Sequence, residues 1–184
     1  MKWNKHPNIG DHALLSPSAH YWINYTDDRL LDYILALQAK EMGTRLHELA
    51  AELISLERRQ KEVKDTFNMY VNDGIGFGMS PEVTLFYSKY IYGTADTICY
   101  DGQTLRIHDL KTGKIQGAMD QLRIYAALFC LEYNVDPETI KIELRIYQAN
   151  EKIVEKADPA QIRTYMDRIV AFDKVISERM DEYA

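Results

Sequence analysis

The sequence predicts an α/β fold, a mostly antiparallel or mixed central sheet flanked by helices, with further helices at both ends. Three observations carry that prediction. Apolar residues recur at three- and four-residue spacing between Asp27 and Lys64 and again after Pro159, the periodicity of helices. The stretch from Val83 to Lys111 turns instead to β-branched and aromatic residues around an Asp101-Gly102 pair, the signature of a hairpin. A helical segment and then an alternating strand follow, so helices and strands interleave. The 184 residues, 46% hydrophobic and 27% charged, suit one globular domain spanning the chain. A chain of that length buries roughly 70% of its unfolded surface and needs no disulfide framework.

Taken in order, Asp27 and Asp28 open a helical run in which Leu46, Leu49, Ala50, Leu53 and Leu56 form one stripe, with Gly43 expected to separate two helices. TFNMYVNDGIGFGMSPE reads as a short helical end running into a loop, because Gly74, Gly76, Gly78 and Pro81 accumulate there. No Gly-Lys-Ser/Thr follows, which excludes a phosphate-binding loop. VTLFYSKYIYGTADTICY and TLRIHDLK read as antiparallel strands. QGAMDQLRIYAALFCLEYN returns to helical spacing through Met119, Leu122, Ala126 and Phe129 and stops near Asn134. Ile140, Ile142, Leu144 and Ile146 alternate with polar partners, as in a strand with one covered face. Asp158-Pro159 supplies an N-cap and first-turn proline for a last helix ending near Tyr183.

Lys plus Arg number 22 against 28 Asp plus Glu, a net charge of −6, which argues against coating nucleic acid through bulk charge. Arg58, Arg59, Lys61 and Lys64 form the densest basic stretch and read as a solvated helix face. Neither a signal-like apolar segment nor an 18-residue apolar run is present, so the expected location is the cytoplasm, with Cys99 and Cys130 reduced.

Four polar features stand where an ordinary core would not place them. Asp96 interrupts an apolar strand run, which costs free energy unless the carboxylate is paired or at an edge. Asp109 and Lys111 share a strand face by the period of two. The Asp101-Gly102 turn joins the two strands, so Asp96 and Asp109 can approach; two carboxylates that close require a proton or a cation between them. A lysine and oxygen-rich surroundings favour a divalent metal. His47 borders the helical stripe, and Gln121 and Tyr125, four apart, share one helix face. Each piece alone also fits a surface pair, a turn cap or a satisfied core histidine.

Together, G-x-x-x-H (Gly43 to His47), G-x-x-D (Gly93 to Asp96), D-x-K-T-G (Asp109 to Gly113) and Q-x-x-x-Y (Gln121 to Tyr125) resemble the RecB-like branch of the PD-(D/E)XK nuclease superfamily. The branch includes phage recombination exonucleases, with lambda exonuclease more distant, and LLSPSAHYWINY resembles the start of phage-encoded members. The likeness runs from about residue 14 to 148. It implies a restriction-endonuclease-like core and a metal-dependent DNA exonuclease acting at duplex ends, in phage recombination or repair. His47, Asp96, Asp109 and the carbonyl of Leu110 would bind Mg2+ or Mn2+, with Glu82 a further candidate. Lys111 would position the attacking water; Gln121 and Tyr125, together with Arg123 and Lys114, would contact DNA. Relatives with an iron–sulfur cluster use four cysteines, and two cannot hold one. A single-strand annealing protein as partner and a ring-shaped trimer follow by the same likeness. A structure-specific endonuclease and a non-catalytic DNA-binding module remain the alternatives.

Overall fold

A computed structural model describes residues 13–113 and 119–181. The chain divides into two compact units, Met1–Met42 and Gly43–Ala184. In the first, a 3₁₀ helix at Pro17–Asn24 is capped by Ser16 and held by the Trp22 indole N–H donating to the Ser16 carbonyl at 2.8 Å. Thr26 Oγ1 then accepts the Arg29 N–H, and Asp27 and Asp28 place negative charge in the first turn of helix α1 (Asp27–Ser55), where the helix dipole favours it. Among the described residues, no helix is long and apolar enough to cross a membrane.

The second unit contains the rest of α1, from Gly43 onward, then α2 (Thr66–Gly76), β1 (Ser80–Ser88), β2 (Ile91–Tyr100), β3 (Thr104–Leu110), α3 (Met119–Glu132), β4 (Lys141–Gln148), β5 (Glu151–Lys156) and α4 (Pro159–Asp181). The five strands stand in the order β1-β2-β3-β4-β5, all neighbours antiparallel except β3 and β4. This is the expected mixed sheet flanked by helices and agrees with a restriction-endonuclease-like core. The parallel β3–β4 pair needs a crossover, and α3 supplies it. Leu122, Ala126, Ala127, Leu128, Phe129 and Cys130 of α3 are buried, packed with Leu105 and Ile107 of β3 and Ile142, Leu144 and Ile146 of β4. A second cluster, on α1 and α2, joins Ala50, Ile54, Tyr70 and Val71 to Leu110 and Tyr147. Each such large apolar side chain removed from water stabilises the fold by about 1.5–3 kcal/mol.

The turns are built by side chains. Asp101 Oδ1 accepts the N–H groups of Gln103 and Thr104 at 2.9 and 2.7 Å and Oδ2 receives Arg106, which together hold its carboxyl down at about 2. Ser88 Oγ accepts from the N–H groups of Tyr90 and Ile91 and is bonded to Asp173 of α4. Asp158 caps α4 through the Ala160 N–H, as its position before Pro159 predicts.

Four expectations are corrected. Helix α1 is continuous through Gly43; the glycine is there for a close approach described below, not for a break. Its buried face in the second unit is Gly43, Ala50 and Ile54, while Leu49 and Leu56 are exposed. The TFNMYVNDGIG segment is a full helix, because Asp65 caps it through the Asn68 N–H and Tyr70, Val71 and Gly74 bury its inner face. Arg58, Arg59, Lys61 and Lys64 lie in the loop between α1 and α2 rather than on a helix face. One strand was not anticipated: β5 is short and charged, and its stability comes from pairing with β4 and from Arg123, whose guanidinium holds both oxygens of Glu155 at 2.9 and 2.6 Å.

Candidate functional site

The β2–β3 register pairs Thr97 with His108, so the next position outward sets Asp96 against Asp109. Both residues then lie where β3 ends and the chain leaves the sheet at Lys111. The Leu110 N–H donates to Asp96 Oδ2 at 3.0 Å, which locks that carboxylate across the strand pair. From α1, His47 brings Nδ1 to 3.3 Å from the same oxygen. In the β1–β2 register Glu82 stands opposite Asp96, between the Pro81–Thr97 and Val83–Ala95 pairs. One ligand atom each from His47, Glu82 and Asp96 lies within 4.8 Å of the others.

Glu82 reaches this place through strained backbone. Its φ is 52°, a left-handed conformation that a side-chain-bearing residue holds only at a cost of about 1–3 kcal/mol, and one that concentrates at functional sites. The positive φ sits between the paired positions Pro81 and Val83, at the residue whose carboxylate meets His47 and Asp96.

Lys111 is aimed from two sides. Its ammonium lies 3.0 Å from both oxygens of Asp109 and donates to Oδ1, and it also donates to Gln121 Oε1 at 3.1 Å. Asp109 Oδ2 is buried, and among the described residues it meets only the Lys111 ammonium, as an ion pair rather than a formed hydrogen bond. Tyr125 donates to the Thr94 carbonyl at 2.6 Å, two residues from Asp96, so that Gln121 is bonded to Lys111 and Tyr125 to β2. A cavity of about 550 Å³ opens beside Lys111, lined also by Leu46, Thr112, Gly113 and Gln148. A cavity of about 790 Å³ along α4 contains none of these residues.

Two glycines complete the arrangement, and reading for chemical groups alone misses them. A Cβ on Gly43 would stand 2.9 Å from Thr112 Oγ1, and one on Gly93 would stand 3.0 Å from Cε1 of Tyr125. The first lets α1 close on the segment after β3; the second lets Tyr125 lie against β2. Their signal was present in the sequence as the opening residues of G-x-x-x-H and G-x-x-D.

The electrostatics are those of a site short of positive charge. Asp96's hydrogen bond raises His47 above its ordinary range, although burial works against it. Burial and then the Asp96 charge raise Asp109, with Lys111 only partly offsetting them. Glu82 is raised for the same two reasons, burial first. Three groups that would give up or refuse a proton in water are thus pushed to retain one. The donor set fits a divalent cation: an imidazole and carboxylates whose ligand atoms lie within 4.8 Å of one another.

Of the remaining expected residues, Leu110 sits at the end of β3 with its N–H committed to Asp96. Arg123 has its guanidinium engaged by Glu155 and Asp120. Lys114 lies outside the described residues.

A helix-borne histidine and carboxylates from three strands, with a lysine alongside, are the residue types that metal-dependent hydrolases use. The chain belongs to the PD-(D/E)XK nuclease superfamily, whose family model matches residues 23–184. No curated protein and no solved structure matches it.

Proposed function

We propose that this chain is a Mg2+- or Mn2+-dependent DNA exonuclease that hydrolyses phosphodiester bonds at duplex ends. The observation that carries the reading is the convergence of His47, Glu82 and Asp96, with Asp109 opposite Asp96 on the next strand, beside a lysine that Asp109 and Gln121 both hold. These four side chains, with the Leu110 carbonyl that the resemblance adds, would hold the cation. When bound there, a divalent ion would supply polarisation of a phosphoryl oxygen and a more acidic water. Lys111 presents an ammonium for the negative charge that develops on the phosphoryl group. Gln121 keeps that ammonium from turning away, and Tyr125 fixes the strand that carries Asp96. Lys114 and Arg123 remain as DNA contacts on the strength of the resemblance.

The preference for ends, the recombination or repair setting in a phage-infected or bacterial cytoplasm, an annealing-protein partner and a ring-shaped trimer rest on the RecB-like motifs alone. The second reading, a structure-specific endonuclease, uses the same centre. Incubation of end-labelled linear duplex and covalently closed circles with magnesium, manganese or EDTA separates them. Metal-dependent loss of the linear DNA alone, abolished by Asp109→Ala and by Lys111→Ala, is the expected result. Cleavage of circles would select the endonuclease, and binding without cleavage under every metal would select a non-catalytic module.

A further inference from the structure

We infer that the outward face of the β1–β2 hairpin carries a base-stacking subsite, made by Phe86 and Tyr92, for a nucleic-acid strand whose phosphate lies at the Glu82–Asp96 end. The inference rests on the nuclease reading for the identity of the strand and on the hairpin geometry for the subsite.

The hairpin register places three pairs in succession on alternate positions: Glu82 opposite Asp96, Thr84 with Thr94, and Phe86 with Tyr92. Side chains at i, i+2 and i+4 share a strand face. The burial pattern agrees, because Glu82, Thr84, Phe86, Tyr92 and Thr94 are exposed while Val83, Leu85 and Ala95 turn inward. The threonine hydroxyls are hydrogen-bonded to each other at 3.1 Å. The two rings stack at a centroid distance of 6.2 Å and an interplanar angle of 28°. Phe86 is 49% and Tyr92 62% exposed. Four residues of strand separate each ring from its carboxylate, about 13 Å at the rise of an extended chain. One face of one hairpin therefore runs from the cation ligands through a hydroxyl step to an aromatic platform.

The exposed pair of rings offers a flat apolar platform beside the cation ligands. β1 is the terminal strand, where a second copy could add a strand, but its Phe86 N–H is already taken by Glu132 Oε2 at 2.8 Å, which opposes that. Continuity with the phosphate-hydrolysing centre favours a base instead. Every base has a π-face, and stacking on an aromatic side chain is tolerant of sequence. Because a base inside a duplex has no free face, the subsite takes an unpaired or frayed strand.

The test uses the full chain and a single-stranded oligonucleotide carrying 2-aminopurine, titrated in EDTA so that no hydrolysis intervenes. Expected are quenching of the probe by the unaltered protein and a loss of affinity of about 5- to 100-fold in Phe86→Ala/Tyr92→Ala. Phe86→Leu/Tyr92→Leu keeps apolar bulk without a π-face and should be equally weak, whereas Phe86→Tyr/Tyr92→Phe should bind like the parent. A leucine pair that binds and quenches like the parent overturns the inference, as does failure of the parent to quench at any probe position. So does a finding by sedimentation that the alanine pair turns a dimer into a monomer with quenching unchanged. Metal-dependent cleavage by the parent with affinity unaffected by the alanine pair would sink the subsite and leave the nuclease reading standing. Quenching by the rings in a protein that cleaves nothing would do the reverse.

Discussion

Replacing Glu82 by alanine and, separately, by glycine distinguishes what its backbone costs from what its carboxylate does. Both variants remove the same charge from beside Asp96, so relief of like-charge repulsion and loss of a cation ligand are common to the pair. They differ in the left-handed backbone at φ 52°. A residue with a Cβ holds that conformation at about 1–2 kcal/mol, and glycine adopts it freely. Glycine also loses more freedom on folding, which returns about 0.5–1 kcal/mol. The net expectation is that Glu82→Gly is more stable than Glu82→Ala by about 0.5–1 kcal/mol, a difference in Tm of roughly 1–4 °C in a chain of this size. Differential scanning calorimetry at neutral pH reads it. Titration of hydrolysis against magnesium should show the two variants displaced to the same higher concentration. Equal melting temperatures would refute the strained backbone at position 82. An unchanged magnesium curve in both would remove Glu82 from the metal site.

Three further outcomes are expected. Gly93→Ala pushes the Tyr125 ring from its 3.0 Å approach and should lower the cleavage rate by about 100-fold, as misplacement of roughly 1 Å does elsewhere, while Tyr125→Phe, which keeps the ring but loses the bond to Thr94, loses less; equal rates in Gly93→Ala and the parent would count against it. Arg123→Ala and Glu155→Ala should each destabilise the fold, with a coupling of about 0.5–1 kcal/mol in the double-mutant cycle; additive losses would mean the bidentate pair contributes nothing. Burial raises the Asp73 carboxyl, but hydrogen bonds from Lys152 and Tyr147 and the Arg145 charge more than offset it, so its folded value is depressed. The stability it contributes is present above the ordinary carboxyl range and is lost as pH falls through the depressed value. Denaturation between pH 2 and 6 should therefore show a shallower acid loss in Asp73→Asn than in the parent; parallel curves would exclude the linkage.

Much of the sheet was readable in advance because its signals are local. Asp101-Gly102 announces its own turn, Ile142, Leu144 and Ile146 alternate, and Asp158-Pro159 marks a helix start. β5 was not readable: Glu151, Lys152, Glu155 and Lys156 give it the look of a loop, and what makes it a strand is a neighbour and a guanidinium from α3. Gly43 was misread for a related reason. A glycine in a helical run locally signals a stop, and only the Thr112 segment, distant in sequence, explains why a side chain is absent there. At the centre, Asp96, Asp109, Lys111 and His47 stood out as polar residues in apolar settings, and the structure brings them together. The left-handed turn of Glu82 and the hold of Gln121 on Lys111 have no sequence signature, since both depend on which elements become neighbours.

Gly43 and Gly93 have no functional group to offer, yet each marks a point where backbone of one element touches a side chain of another at the centre. A screen for variants that still fold and express but have lost activity should therefore recover substitutions at positions 43 and 93 alongside those at the carboxylates. Chemical rescue would then sort the two groups. An added metal or an exogenous amine can replace a missing ligand or ammonium, but nothing in solution can remove a methyl group wedged between two elements. Tolerance at these positions consequently sets how far the surrounding elements can drift in related chains while the same reaction is kept.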